Sequence, residues 1–302
     1  MFLQWMAYLR SRVPHHKELL PINLDETSIG YAFPGAAGNI TRRRWWPNKR
    51  QPPRSKVNQQ AARGSITYVA LVTPRGDVQR KLPQILIGSR TKRFTLRVLN
   101  SLGVIPARVF LIRGSNAWNN SVIMLEILNL LADALRDVVQ GFQPVLVMDT
   151  CKCHLTDVVL HHSWRLGIWV SIVPAGLTWL LQPLDCFVFA RLKSFLRNEF
   201  RACLQTHGAV SVAQWFRMLF KAATEFMCGN SWERGVRFLG LLCDRDDMSG
   251  TLLSYCPGLK TQTRAELPTV SEVAKVLPRG ARVPYWLLFA GPRGFTRRLR
   301  VQ

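Results

Sequence analysis

The chain has 302 residues, 48% of them hydrophobic, enough to bury a large core and to exclude a disordered tail. Its 41 lysines and arginines face 18 acids, a formal charge of +23 that a polyanion would neutralise. Nucleic acid is therefore the expected partner; a membrane is not, because the basic residues do not form one amphipathic helix and no run reaches the roughly 18 apolar residues of a span.

Residues 1–17 form a short leading segment, apolar at Phe2, Leu3, Trp5 and Met6 and basic afterwards at Arg10 and Arg12. That order reverses a secretory signal, so an intracellular site is expected. Seven irregularly spaced cysteines fit reduced thiols better than a disulfide framework. Residues 21–27 (PINLDET) alternate as a strand, with Ile22 and Leu24 on one face and Asn23 and Asp25 on the other. Residues 42–63 then hold eight basic residues, no acid and three prolines, the composition of an exposed basic loop.

Residues 65–73 and 78–87 flank the turn Pro74-Arg75-Gly76-Asp77 and are predicted to pair as a hairpin, while residues 108–112 can add a strand. Residues 121–140 place Val122, Leu125, Leu128, Leu131, Leu135 and Val138 at helical spacing, closed by Gly141. Residues 144–148 are a continuous apolar run ending at Asp149, the pattern of a strand buried on both faces. A helix at 155–167 and a strand at 168–173 follow, an alternation that argues for an α/β layout with parallel pairing. Pro183 can open a further helix whose first turn holds Asp185. Beyond residue 205 the pattern stays helical, and residues 278–302 form a tail with Arg279, Arg282, Arg293, Arg297, Arg298 and Arg300 and no acid.

An acid at a strand centre, another at the end of a buried strand and a third at a helix start are costly places for charge, and a divalent metal would offset that cost. Oxygen ligands alone favour Mg2+ or Mn2+ over zinc. Taken singly, Asp149 reads more readily as a cap or turn residue, and Asp185 can be a first-turn acid on the helix dipole. Together the strings Asn23-Leu24-Asp25-Glu26-Thr27, Val147-Met148-Asp149 with His154, and Gly176-Leu177-Thr178 leading into Leu181-Gln182-Pro183-Leu184-Asp185 closely resemble the DDE superfamily endonuclease domain of pogo-type transposons, the group that includes jerky-like and centromere protein B-like proteins.

That resemblance runs from about residue 18 to 205. It implies an RNase H-like mixed sheet flanked by helices over residues 18–205; the residues beyond it, 206–302, read from their own pattern as a helical, basic C-terminal extension. It also implies a metal-binding and catalytic triad at Asp25, Asp149 and Asp185, supported by Glu26 and His154. In the family, two metal ions promote strand hydrolysis and attack of the freed 3′ hydroxyl on target DNA. The second motif commonly reads Asp-Asn, where this chain has Thr150. The two dozen residues before Asp25 cannot hold the helix-turn-helix module that usually precedes such a domain.

DNA contacts are expected from Arg42, Arg43, Arg44, Trp45, Trp46, Lys49, Arg50, Arg54 and Lys56, which mix guanidinium groups with aromatic faces, and from Lys193 and Arg197. The basic run reads equally as a solvated charge face or a localisation signal, and either favours a nuclear, DNA-associated protein. A homo-oligomer is a further partner to consider. Cys151, Cys153 and His154 hint at zinc but lack a second ligand pair, so packing is the reading adopted for the thiols. Trp118 reads most simply as a core anchor. Beside the nuclease stands a reading from another class, a domesticated or decayed copy that binds DNA without cutting it.

Overall fold

A long strand, β1 (Glu18–Ile29), organises the sheet in the computed structural model, which describes residues 2–31, 66–92, 94–242, 247–256, 259 and 269–277. Along one side of β1 runs β2 (Ile66–Val72), antiparallel, and along the other β5 (Phe142–Met148), parallel. The sheet is completed by β3 (Gln84–Ser89) antiparallel to β2, β4 (Val109–Gly114) parallel to β3, and β6 (Trp169–Ile172) parallel to β5, giving the order β4-β3-β2-β1-β5-β6. An antiparallel half joined to a parallel half through the first strand is the RNase H-like mixed sheet expected from the sequence.

Both faces of the sheet are covered. On one, Ile22 and Leu24 join a core with Trp5 and Met6 of α1 (Phe2–Arg12), Ile127 and Leu131 of α2 (Ser121–Ala134) and Leu160 of α3 (Asp157–Arg165). On the other, Tyr68, Ala70 and Val72 pack with Leu192 and Leu196 of α4 (Phe189–His207) and with Trp215 and Phe216 of α5 (Val212–Lys221). Each fully buried large apolar side chain contributes about 1.5–3 kcal/mol relative to exposure. Alternation along β1 therefore sends Leu24 and Asp25 to opposite layers.

Two predicted elements differ in extent. The second hairpin arm begins at Gln84 rather than Val78, because Gly76–Gln79 form a helical turn. Gln79 points inward there: its Oε1 accepts from Thr73 N (2.8 Å), and its Nε2 donates to the carbonyls of Leu71 (3.1 Å) and Met227 (3.0 Å). Three buried hydrogen bonds outweigh the β propensity of Val78. The helix predicted at 121–140 ends at Ala134, and turns carry the chain to β5. Its start is fixed by Asn120, whose side chain accepts from the backbone N–H of Val122 and Ile123. The basic loop, with Arg42, Arg43, Arg44, Trp45, Trp46, Lys49, Arg50, Arg54 and Lys56, and the tail at 278–302 lie outside the described residues.

Candidate active site

The parallel register pairs Asn23 of β1 with Val147 of β5. Carried two residues further, it sets Asp25 level with Asp149, which follows the last residue of β5. Asp185 comes from a wide, π-type turn, Leu184–Val188, that opens α4. Such turns recur at functional sites, where they re-aim a side chain.

Asn23 ties the turn to the sheet. It is 2% exposed; its Oδ1 accepts from Leu184 N (2.8 Å), and its Nδ2 donates to Val147 O (3.0 Å) and, at longer range, to Leu24 O (3.3 Å). Gln182, also buried, donates from Nε2 to Leu24 O (3.2 Å). One short side chain thus joins β1, β5 and the residue next to Asp185. Ahead of the turn, Gly176 adopts a φ of +77°, which residues with a Cβ rarely tolerate.

The charges fall into two groups. Asp25 is 7% exposed, and burial first, then the charge of Asp185, pushes its carboxyl up to about 8; Glu26 and Asp149 add to the rise, while the Glu26 N–H, 2.8 Å from Asp25 Oδ1, opposes it. On the opposite face of β1, Glu26 reaches His154, whose Nε2 lies 3.0 Å from Glu26 Oε1 and whose Nδ1 lies 2.7 Å from Asp149 Oδ1. Asn119, just ahead of α2, donates to the same Glu26 oxygen. His154 has no exposed surface. Burial alone would lower its pKa, but the bonds to Asp149 and Glu26 outweigh that and hold it well above the usual histidine value. For Asp149 burial acts upward, and His154 together with the Cys151 N–H (2.9 Å) brings the carboxyl below its usual range.

Half-buried Lys193, on α4, faces the first group: burial, with the charge of Arg197, holds its pKa below the usual lysine value against the opposing pull of Asp185 and Asp25. Arg197, one turn along, donates to Ser194 Oγ (2.8 Å).

Of the three predicted aspartates, Asp25 thus feels the charge of both Asp185 and Asp149. Among the described residues, the side chains that bring three ligand atoms within 4.8 Å of one another are Cys151, Cys153 and His154, not the three aspartates. A pair of divalent ions about 4 Å apart needs a wider ring of carboxylates than a single ion does. An all-oxygen donor set with one carboxyl pushed to about 8 by burial and by the like charge of Asp185 fits hard divalent cations.

Two readings need correction. Trp118 is 75% exposed and is no core anchor; beside it, Asn119 turns inward to Glu26. The thiols do not pack into the core either, because Cys151 is exposed and Cys153 half-buried. Sequence reasoning also missed Asn23 and Gln182 as fasteners, although both stand within the quoted motifs.

A family model described as DDE superfamily endonuclease matches residues 74–236, more than half of the chain, and the chain belongs to that family. The match takes in Asp149 and Asp185 and begins after Asp25. Among solved structures, the catalytic domain of Mos1 mariner transposase is similar at 12% identity and a TM-score of 0.37, over 80% of this chain and 92% of that one. A Mos1 transposase paired-end complex with left transposon end gives 14% identity and a TM-score of 0.37, over 79% of this chain. A Mos1 mariner paired end complex with Mn gives 14% and 0.36, over 79%. The chain spans 62% of the length of each of these last two. The strand order, rather than these distant likenesses, defines the fold. No curated protein matches the chain.

Proposed function

We propose that this protein is a DNA endonuclease of the transposase type, cleaving phosphodiester bonds and transferring strands with Mg2+ or Mn2+ held by Asp25, Asp149 and Asp185. The observation that carries the reading is the burial of Asp25 beside the like charge of Asp185, which together raise its carboxyl to about 8, a cost that a divalent cation would relieve. When bound, such ions supply an activated water and stabilise the leaving oxygen.

The chain's own residues prepare that site. His154, protonated between Glu26 and Asp149, fixes the Asp149 carboxylate through Oδ1; its Oδ2 takes no hydrogen bond among the described residues. Asn23 and Gln182 hold the turn that presents Asp185. Lys193 and Arg197 lie on the same helix as an anchor for the scissile strand's phosphates, and residues 42–56 extend the contact along DNA. The basic run also suits a nuclear protein. Among the described residues, no helix is long and apolar enough to cross a membrane.

A plasmid-nicking assay with purified full chain tests the proposal. Nicking that requires Mg2+ or Mn2+ and disappears in Asp149→Asn supports it. DNA binding without metal-dependent nicking, identical in the wild type and Asp149→Asn, overturns it in favour of a decayed copy that binds DNA only.

A further inference from the structure

Asp149 is followed by a tight loop that places two sulfurs at the rim of the site. Its Oδ1 accepts from Cys151 N (2.9 Å), and His154 N donates to Cys151 O (3.0 Å), closing a turn that brings Cys151 Sγ within 3.2 Å of Cys153 Sγ. A ligand nitrogen of His154 completes a set of three atoms lying within 4.8 Å of one another. Exposure falls across the set, from exposed Cys151 through half-buried Cys153 to His154 with no exposed surface. The set is therefore open to solvent on its sulfur side and floored by an imidazole.

We propose that Cys151, Cys153 and His154 form a binding site for a thiophilic divalent cation of the zinc class, separate from the oxygen ligands of the triad. Two sulfurs and one imidazole nitrogen are a ligand set that zinc accepts with a fourth position left open to water, and that Mg2+ avoids. Histidines that bind metal through one ring nitrogen almost always donate the other N–H to a carboxylate or carbonyl. His154 carries a carboxylate at each nitrogen, so whichever nitrogen takes the ion, the other keeps such a partner. On binding, the two thiol protons and the proton of the coordinating nitrogen leave to the buffer; the two thiolates balance the ion's double charge, and a neutral imidazole remains beside Asp149 and Glu26. Occupancy also releases His154 from one of its two carboxylates. Any effect of that release on cleavage rests on the nuclease reading above, whereas the binding itself does not.

The test is a titration of reduced, metal-free full chain with Cd2+ as the probe, followed by the ultraviolet thiolate-to-metal charge-transfer band. The expected result is a band that saturates at one equivalent, survives excess Mg2+, and persists in the control Cys256→Ser. Cys151→Ser and Cys153→Ser should each weaken it at least about tenfold, since losing a ligand exceeds the tenfold cost typical of losing an outer partner. Absence of the band, or its persistence in both variants, overturns the proposal. Wild-type protein provides a second readout that no folding defect can confuse: Cd2+ should shield Cys151 and Cys153 from alkylation, mapped by mass spectrometry. Equal alkylation of these thiols with and without Cd2+ overturns it as well. Neither readout uses DNA cleavage, so failure here and failure of the nuclease reading are distinguishable.

Discussion

Asp25 and Glu26 are neighbours in one strand, yet the two faces of the sheet treat them in opposite ways. Glu26 meets His154 and Asn119, and the positive imidazole is shared with Asp149, so every charge on that side has a partner. Asp25 meets burial and the like charge of Asp185, and its carboxyl rises to about 8. A buried charge network holds together when all its members are paired, whereas buried like charges persist when something outside the chain compensates them. On the proposed reading the paired side is scaffold, lending Asp149 to the site, and the unpaired side is the receptor for a cation.

Substitutions on the two sides should separate these roles. The largest effect is expected at Asp185, an exposed carboxylate on the receptor side. Asp185→Asn should lower Mg2+-dependent nicking by about a thousandfold or more, the equivalent of several kcal/mol of lost charge stabilisation, while the thermal midpoint of the metal-free protein stays level or rises. A large fall in that midpoint would place Asp185 in the scaffold instead. Next comes His154→Ala, which strands Glu26 and Asp149 without their shared cation. Denaturant unfolding should register a loss of about 3–5 kcal/mol, the usual cost of removing one partner from a buried pair.

Asn23→Ala sharpens the comparison further, because Asn23 belongs to the scaffold yet serves the receptor. Leaving Leu184 N buried without an acceptor should cost about 1–3 kcal/mol in unfolding free energy. Nicking should fall more than stability alone explains, and full activity in the folded variant would show that the turn needs no such fastening. Asp25→Asn removes a ligand of the same site and should lower nicking as Asp185→Asn does, while its small effect on stability is favourable, because repulsion is relieved. In the metal-free protein at neutral pH it should stabilise by at least about 1 kcal/mol, and the rise in melting temperature that Mn2+ gives the wild type should shrink. Destabilisation by Asp25→Asn would mean that this carboxyl is a satisfied structural group.

Much of this architecture is legible in the sequence where a pattern is local. The apolar run ending at Asp149 reads directly as a buried parallel strand, and the leucine spacing after Asn120 as a helix, because periodicity records which side faces the core. The order of the three aspartates is legible through the motifs around them. The role of Asn23 is not: its partners Val147 and Leu184 lie far along the chain and meet it only once the sheet has formed. Gln79 likewise overrides its neighbours' β preference through a bond to Met227, which no local window contains. Trp118 illustrates a different limit, since an aromatic residue ahead of a helix can face either way, and here its neighbour Asn119 takes the inward place. The pairing of Glu26 with His154 needed the knowledge that adjacent strand residues serve opposite faces, which the motif letters alone do not convey.

The most direct test of the receptor side is a crystal structure grown with Mn2+, read through anomalous difference density. The account predicts Mn2+ peaks bounded by Asp25, Asp149 and Asp185, with His154 still bridging Asp149 and Glu26. Crystals whose anomalous density leaves those three carboxylates without metal would contradict it.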